Sequence, residues 1–533
     1  MSLCFLARGV FYCSFMPLWE GYDEWAHFGY IQQIVNTNHP LVDRTEPVSR
    51  ELWASMNLAP APWNTGKPFI TQDEFWRLPA EERAARAAAL RNLPPGWSKE
   101  PERSGAPIYE ALQPPLYYWI ASIPYRLAAH QPIADRAFMI RYMSLAIACL
   151  TIPLVFLIGE RVFGSVLPSL LVVILLAALP ELMIDICRTG NECLGIVLFS
   201  WLTLLVLTPE SDALRNSTSV LTGIALGMGL LTKAYFLTAL PALLLIYAVR
   251  AWRGANRLAW IRQAALVFGI AFAIAGWWYV RNRVTTGAWS GLLESAKLAH
   301  HTPGQFLEGA MQVNWRNAMD SILLSHIWFG GWSSLQVRSW VYHLVFFVIG
   351  ASILGVVLAL RDREKRKSIG TLATIYGFFW LGQLYNVLLL FMAKGASTSM
   401  GWYMYCVVAA ELVLLVLGIQ ILLPKRFRPW AISILILLTV ALDFYTVTFV
   451  SIPYYAGLTS HAANTGAVRA FHFSALADVG VGGVMERLSL MKAVWLTPGV
   501  QTVLYLTYAV ATALLIVLPF RLSVDAGSLN KRK

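Results

Sequence analysis

Residues 341–360 run for twenty positions without a charged side chain, and they are not alone. Similar apolar blocks occupy 166–179, 264–280, 407–423 and 431–450. A helix that crosses the hydrocarbon core of a bilayer needs about 20 such residues, with a range of about 17–25. These blocks lack the alternation of half-buried strands and the narrow stripe of surface helices. They therefore dictate an all-α polytopic membrane protein. Charged residues are only 14% of the 533, against roughly 25% in soluble domains, so the chain cannot coat several soluble domains. Trp119, Trp201, Trp277, Trp278, Trp402 and Trp430 stand beside the ends of apolar blocks, where the membrane interface favours them.

Expected spans lie near 3–18, 138–158, 164–183, 191–208, 217–232, 234–250, 262–281, 339–360, 369–393, 402–422, 428–450 and 501–520. That is about 12 transmembrane helices, or 13 if the short, proline-bearing stretch 114–130 also crosses. The first span is interrupted by Arg8. It lacks the basic flank and small-residue cleavage site of a signal peptide. The formal charge of +12 would suggest nucleic acid in a soluble protein. Here the cations cluster in short loops at 250–262, 361–367 and 425–428 and in the tail 531–533. This is the positive-inside pattern of a chain whose partner is the lipid bilayer, with no nucleic acid. With those segments cytoplasmic, 19–113, 281–338 and 451–500 face outward. The chain divides into a module 1–290 that includes loop 19–113, an external loop 291–338, and C-terminal helices 339–533 with the short external loop 451–500. A loop as long as 19–113 is uncommon without a function; an amphipathic helix is expected in it near 79–93. The six cysteines include no CxxC pair and lie mostly in apolar runs, so neither disulfides nor a cysteine metal site are expected.

Four polar clusters carry the candidate chemistry. Asp23, Glu24 and His27 follow the first span directly, where a carboxylate at the membrane face can serve as a general base. On a helix, Asp23 and Glu24 would stand one turn from His27. The same acids would equally suit the first turn of any helix. The second cluster, 109–119, joins Tyr109 and Glu110 to a double proline and Tyr117. It reads as a rigid re-entry into the membrane or an ordinary loop-to-helix junction. The third comprises Arg136, Arg141, Lys233, Arg281 and Arg283, cations on the outer side against the general trend. They would suit a lipid phosphate, unless the count of spans is off by one there. The fourth is the patch 188–192, with Glu192 at the start of a span.

Taken in order, these motifs resemble the GT-C membrane glycosyltransferases. The likeness is to the protein O-mannosyltransferase branch, glycosyltransferase family 39, and to related bacterial predicted glycosyltransferases. The matching features are Asp23-Glu24 after the first span, Gln113 to Tyr118 at the re-entry, and Arg141 with Ser144. Asn191-Glu192 after Pro180, the Gly-rich run from Gly223 to Lys233, and Trp278-Tyr279-Val280-Arg281-Asn282 complete the set. The likeness covers roughly the first 290 residues. It implies transfer of a hexose or pentose from a polyprenyl-phosphate carrier to a protein, lipid or glycan acceptor at the external face, with inversion. Asp23 matches the family's catalytic Asp, with Glu24 as its partner or orienting the donor sugar, and Glu192 near the acceptor or Asp23. Arg141, Lys233, Arg281, His27 and Tyr117 would contact the donor and its phosphate. No cofactor is implied; Glu24-x-x-His27 offers two ligands for a divalent metal, too few for a site. The expected setting is a bacterial inner membrane with the site facing the periplasm or exterior. A transporter or flippase for a lipid-linked or anionic solute is the competing reading, followed by a non-enzymatic assembly protein.

Overall fold

The structure, a computed structural model, describes residues 1–254, 256–362, 365–463 and 466–531. Arg532 and Lys533 of the basic tail, and positions 363–364 of the 361–367 loop, lie outside the described residues. Every regular element among them is helical. Eight helices have the length and apolarity to cross a bilayer: Ile133–Phe163, Ala234–Arg253, Arg257–Thr286, Ser339–Ala359, Arg366–Lys394, Gly401–Leu422, Arg428–Tyr455 and Pro498–Val524. A ninth is broken, with Val166–Ala178 and Pro180–Ile186 meeting at 66°. Pro180 stands at the first position of the second half, where its missing N–H does no harm but the preceding helix cannot continue through it. The chain is a multi-pass integral membrane protein.

The other three expected spans are present as short helices, Ser2–Phe15, Glu192–Val206 and Asn216–Leu230. At 1.5 Å per residue, fifteen residues reach only ~22 Å, short of the ~30 Å hydrocarbon core. Their ends explain the shortfall. Ser2–Phe15 stops at Met16-Pro17, Asn216–Leu230 stops before Thr232-Lys233, and Glu192–Val206 begins only after the polar turn 187–191. Those irregular ends lie together: Asn191 Nδ2 donates to the Thr232 carbonyl at 2.9 Å, and the Thr189 amide donates to Glu24 at 3.0 Å. Non-helical backbone at membrane depth is tolerated only where protein or a cavity satisfies it. The ambiguous stretch 114–130 contains Leu116–Leu127, a 12-residue helix too short to cross. Its first amide donates to the Leu231 carbonyl at 2.9 Å, which fastens it to the break before Lys233.

The first loop folds as a cap of short helices. Glu24–Thr37 leads, and Arg50–Leu58 is capped by the Ser49 hydroxyl, which accepts from Leu52 N at 3.1 Å. The expected amphipathic helix is Ala80–Arg91. Arg136, from the first long membrane helix, forms a buried ion pair with Glu51 that pins this cap down. Arg136 is thereby accounted for by the fold. Arg8 is buried against Asp443 at 2.7 Å, and Tyr12 and Tyr508 each donate to that carboxylate at 2.7 Å. Lys492 Nζ donates to the carbonyls of Ser14, Phe15 and Met16 at 2.6–2.8 Å. A cation at the carbonyl end of a helix satisfies its orphan acceptors and its dipole. The first helix is thus held at its middle and its end by the C-terminal third of the chain.

Candidate active site

The site begins with a corner in the backbone. After Pro17 the chain turns through Trp19 and Asp23, both left-handed, with φ of 65° and 55°. Non-glycine residues rarely take this conformation; Asp is among those that tolerate it. The next residue, Glu24, is buried and forms a two-pronged bridge to Arg141, with Nε to Oε1 at 2.6 Å and Nη2 to Oε2 at 2.5 Å. Arg141 also donates to the carbonyls of Cys13 (3.1 Å), Met16 (2.8 Å) and Pro17 (2.7 Å). A guanidinium has five N–H donors, and all five of these are taken. Arg141 therefore has nothing to offer a phosphate. Its part is to hold the corner, and Glu24, with both oxygens engaged, is its counter-charge. In this arrangement Arg141 and Glu24 brace the corner that carries Asp23.

Asp23 itself is half-buried. Its Oδ1 accepts from the Tyr109 hydroxyl at 2.7 Å, and Tyr109 lies edge-on to Trp25 at 5.4 Å. Beside it is Glu110, 8% exposed. Burial, then the charge of Asp23, pushes the Glu110 carboxyl up to about 8, so Glu110 holds its proton at neutral pH. His27 Nδ1 lies 2.8 Å from the Tyr118 hydroxyl and 3.7 Å from Glu110 Oε2. Burial and the cations Arg188 and Lys233 push His27 far below its usual range. The His27–Glu110 approach is therefore a contact between neutral groups.

The other wall comes from 185–192 and the break at Lys233. Arg188 reaches Asp185 at 3.0 Å and Glu192 Oε2 at 2.6 Å, and donates to the Tyr22 carbonyl at 2.5 Å. Lys233 forms an ion pair with Glu192 Oε1, donates to Asn191 Oδ1 at 3.1 Å, and lies over the rings of Tyr235 (4.8 Å) and Tyr403 (5.8 Å). Such contacts stabilise a buried ammonium. Tyr117 accepts from Gly190 N at 3.1 Å and shares a hydrogen bond with Ser144 at 2.8 Å. A Cβ on Gly21 would come within 2.7 Å of Arg188 Cβ, and one on Gly190 would collide with the Arg188 guanidinium, so only glycine lets Arg188 lie between these turns. Arg188 Nε and Asp185 Oδ2 are buried without a hydrogen-bond partner, which is costly unless something else satisfies them.

The structure thus joins Asp23, Glu24, His27, Tyr117, Arg141, Glu192 and Lys233 in one network. Arg281 lies outside it, half-buried with its guanidinium 5.1 Å over the Trp278 ring; its charge reaches Tyr30 and Asp43. Arg283 turns to the Gly287 carbonyl. Glu24 and His27 have separate partners, and among the described residues no three His, Cys, Asp or Glu side chains gather as metal ligands. Absent from the expected site were Glu110, Asp185, Arg188 and Tyr403. Glu110 and Arg188 lay inside polar clusters that pointed to the site; Tyr403 gave no signal, being one aromatic at the start of an apolar block.

Residues 112–278 match the family described as dolichyl-phosphate-mannose-protein mannosyltransferase. No curated protein sequence matches the chain. Among solved structures, ArnT from Cupriavidus metallidurans bound to undecaprenyl phosphate is similar at 14% identity and a TM-score of 0.47, over 97% of this chain and 76% of that one. The apo oligosaccharyltransferase of Archaeoglobus fulgidus is similar at 13% identity and a TM-score of 0.45, over 97% of this chain and 56% of that one. The same enzyme with zinc and sulfate aligns at 13% identity and a TM-score of 0.43, over 83% and 51%. The matched segment includes Tyr117, Arg141, Glu192 and Lys233. Over residues 112–278 the chain is thus similar to the dolichyl-phosphate-mannose-protein mannosyltransferase family, and its ordered motifs resemble the GT-C membrane glycosyltransferases.

Proposed function

We propose that this chain transfers a sugar from a polyprenyl-phosphate carrier to an acceptor hydroxyl at the outer face of the membrane, by one inverting displacement. The observation that carries the reading is a half-buried aspartate, fixed at a strained corner and within electrostatic reach of the buried Arg188, which shares Glu192 with Lys233. Asp23 takes the proton of the acceptor hydroxyl as its oxygen attacks the anomeric carbon. The bond from that carbon to the phosphate oxygen breaks, and the carrier leaves with the electron pair. Lys233 and Arg188 offset the charge that gathers on the departing phosphate, the kind of preorganised stabilisation that dominates many enzymes. Glu192 and Asp185 hold both cations in place beforehand. Neutral Glu110 donates a hydrogen bond without repelling the phosphate. Arg281, outside this network, adds positive charge that would favour arrival of the anionic carrier. Residues 1–290 form the catalytic module, roofed by side chains from 328–335 and 401–407.

A further observation supports a lipid carrier, and another its orientation. An apolar cavity of ≈ 880 Å³, lined by Leu175, Val345, Val348, Trp380, Leu412 and Leu435, also borders Pro180 and Met404, next to the site's own walls. The basic loops 250–262 and 425–428 favour a cytoplasmic side opposite the site. This would orient it toward the periplasm of a bacterial inner membrane.

The test is direct. The purified chain in nanodiscs, given polyprenyl-phosphate-linked sugars and an envelope extract as acceptor, should release free polyprenyl phosphate. Sugar delivered across the bilayer with its bond to phosphate intact would sink this reading in favour of a flippase. The protonation of Glu110 adds a pH signature. Its raised value means that the neutral form persists below about 8 and is lost above it. The transfer rate should fall as pH rises through about 8, and Glu110→Gln, a permanent mimic of the neutral acid, should remove that alkaline limb.

A further inference from the structure

Next to Asp23, on the other side of Trp25, is a second cavity that the proposed reaction does not use. It encloses ≈ 230 Å³ and is lined by the rings of Trp19, Trp25, Phe69 and Trp332, with Asn64 and Thr65 at its polar edge. We propose that this is an acceptor subsite for one neutral sugar ring, and hence that the acceptor is a glycan or glycoconjugate. The proposal rests on the glycosyl-transfer reading above.

Three features decide the class of ligand. First, no lining residue is charged, which disfavours a phosphate, a carboxylate or an amine. Second, the volume is below the roughly 300–1,000 Å³ of sites for drug-sized ligands. It suits one monosaccharide and neither a lipid tail nor a stretch of peptide. Third, the walls are flat aromatic faces with unused donors at their edges. A pyranose has an apolar face of C–H groups, which packs on an aromatic ring, and a rim of hydroxyls, which must be hydrogen-bonded. Among the described residues, the indole N–H groups of Trp25 and Trp332 and the side chains of Asn64 and Thr65 make no protein hydrogen bond.

The rings are braced from behind, so little ordering is left for a ligand to bring about. Trp19 donates to Ser55 Oγ at 3.1 Å and packs edge-on to Phe28 at 5.2 Å; Phe69 meets Trp53 at 5.1 Å. Trp332 stands edge-on to Tyr22 (5.4 Å) and Trp402 (5.6 Å). Its loop is clasped by two buried carboxylates. Glu20 accepts from Ser333 N (2.7 Å) and Oγ (3.0 Å), and Glu181 accepts from Phe329 N (2.8 Å) and Gly330 N (3.1 Å). Gly330 and Gly331, at φ of 73° and 81°, let the loop turn there. The cavity also shares its walls with the candidate base. Trp25 is two residues from Asp23 and packs on Tyr109, which donates to Asp23; Trp332 packs on Tyr22, the residue before Asp23. A sugar seated here would present the hydroxyls of a neighbouring residue to Asp23 around the edge of Trp25.

The experiment uses the full chain in nanodiscs and saturation-transfer NMR with methyl α-glycosides of glucose, galactose and mannose, and with N-acetyl-prolinamide and N-acetyl-tryptophanamide as peptide probes. The expected result is saturation of the ring C–H protons of at least one glycoside. Phe69→Ala and the exposed-edge variant Asn64→Ala should weaken it about tenfold, with the melting temperature of Asn64→Ala equal to that of the unaltered chain. Asp23→Asn should bind the glycoside as the unaltered chain does. Saturation by no glycoside, saturation by the peptide probes alone, or glycoside binding untouched by both variants would each overturn the subsite. Glycoside binding as expected without any cleavage of donor would overturn the transfer reading and leave the subsite standing.

Discussion

Asp23→Asn is expected to lower sugar transfer by about 10²–10⁴-fold, the usual contribution of a positioned general base, with no loss of thermal stability. The backbone explains why this substitution isolates the chemistry. Asp23 sits at φ 55°, and Asn tolerates that left-handed region about as well as Asp. The amide oxygen can still accept from Tyr109. Only the capacity to take a proton is removed. Asp23→Ala, by contrast, should lose activity and also destabilise the corner by about 1–2 kcal/mol, the cost of a left-handed conformation for an ordinary L-residue. The measurements are turnover of a polyprenyl-linked donor and the melting temperature of each variant in the same detergent. A rate unchanged in Asp23→Asn would move the base elsewhere.

The second large effect is of the opposite kind. Glu24→Gln or Arg141→Lys should destabilise the chain by about 3–5 kcal/mol, because each leaves a buried charge or a set of carbonyls uncompensated. Lysine carries three donors on one atom and cannot span Glu24 and the carbonyls of Cys13, Met16 and Pro17 together. Activity and melting temperature should fall together, unlike in Asp23→Asn. The paired change Glu24→Leu with Arg141→Met should recover part of the stability, since it removes both charges. It should recover no activity, since the carbonyls of Cys13 and Pro17 then lose the guanidinium and the corner at Asp23 loses its hold. Full activity in Arg141→Lys would show that the clamp is dispensable.

Most of the membrane architecture was legible because the bilayer imposes a coarse rule. Long apolar blocks became the long helices, and their boundaries were visible in the hydropathy. The three short helices were harder to read, because their apolar blocks continue past the point where the backbone leaves the helix. Asp23, His27, Glu192 and Lys233 stood out because a polar side chain in so apolar a chain is expensive and thus placed for a reason. Arg141 stood out for the same reason, but its part did not. That part depends on where three carbonyls some 125 residues earlier point, and sequence carries no sign of acceptor geometry. Glu110 was visible as an acid before the double proline, yet its neutral state comes from burial beside Asp23. Trp332 and Tyr403 reach the site from the C-terminal half, where no motif announced them.

The pairing of Arg8 and Tyr12 with Asp443 bears on how the protein is made. Tyr12 and its partner are separated by 431 residues. At the ~5–20 residues per second of translation, the first helix must wait roughly 20–90 s before the carboxylate it needs exists. Through that interval a guanidinium sits in a short helix with no counter-charge, and the carbonyls of Ser14 to Met16 await Lys492. The corner that aims Asp23 is therefore finished only when the last helices arrive. A ribosome that stops before residue 443 should release a chain whose first helix is poorly held in the membrane, a ready mark for a quality-control protease.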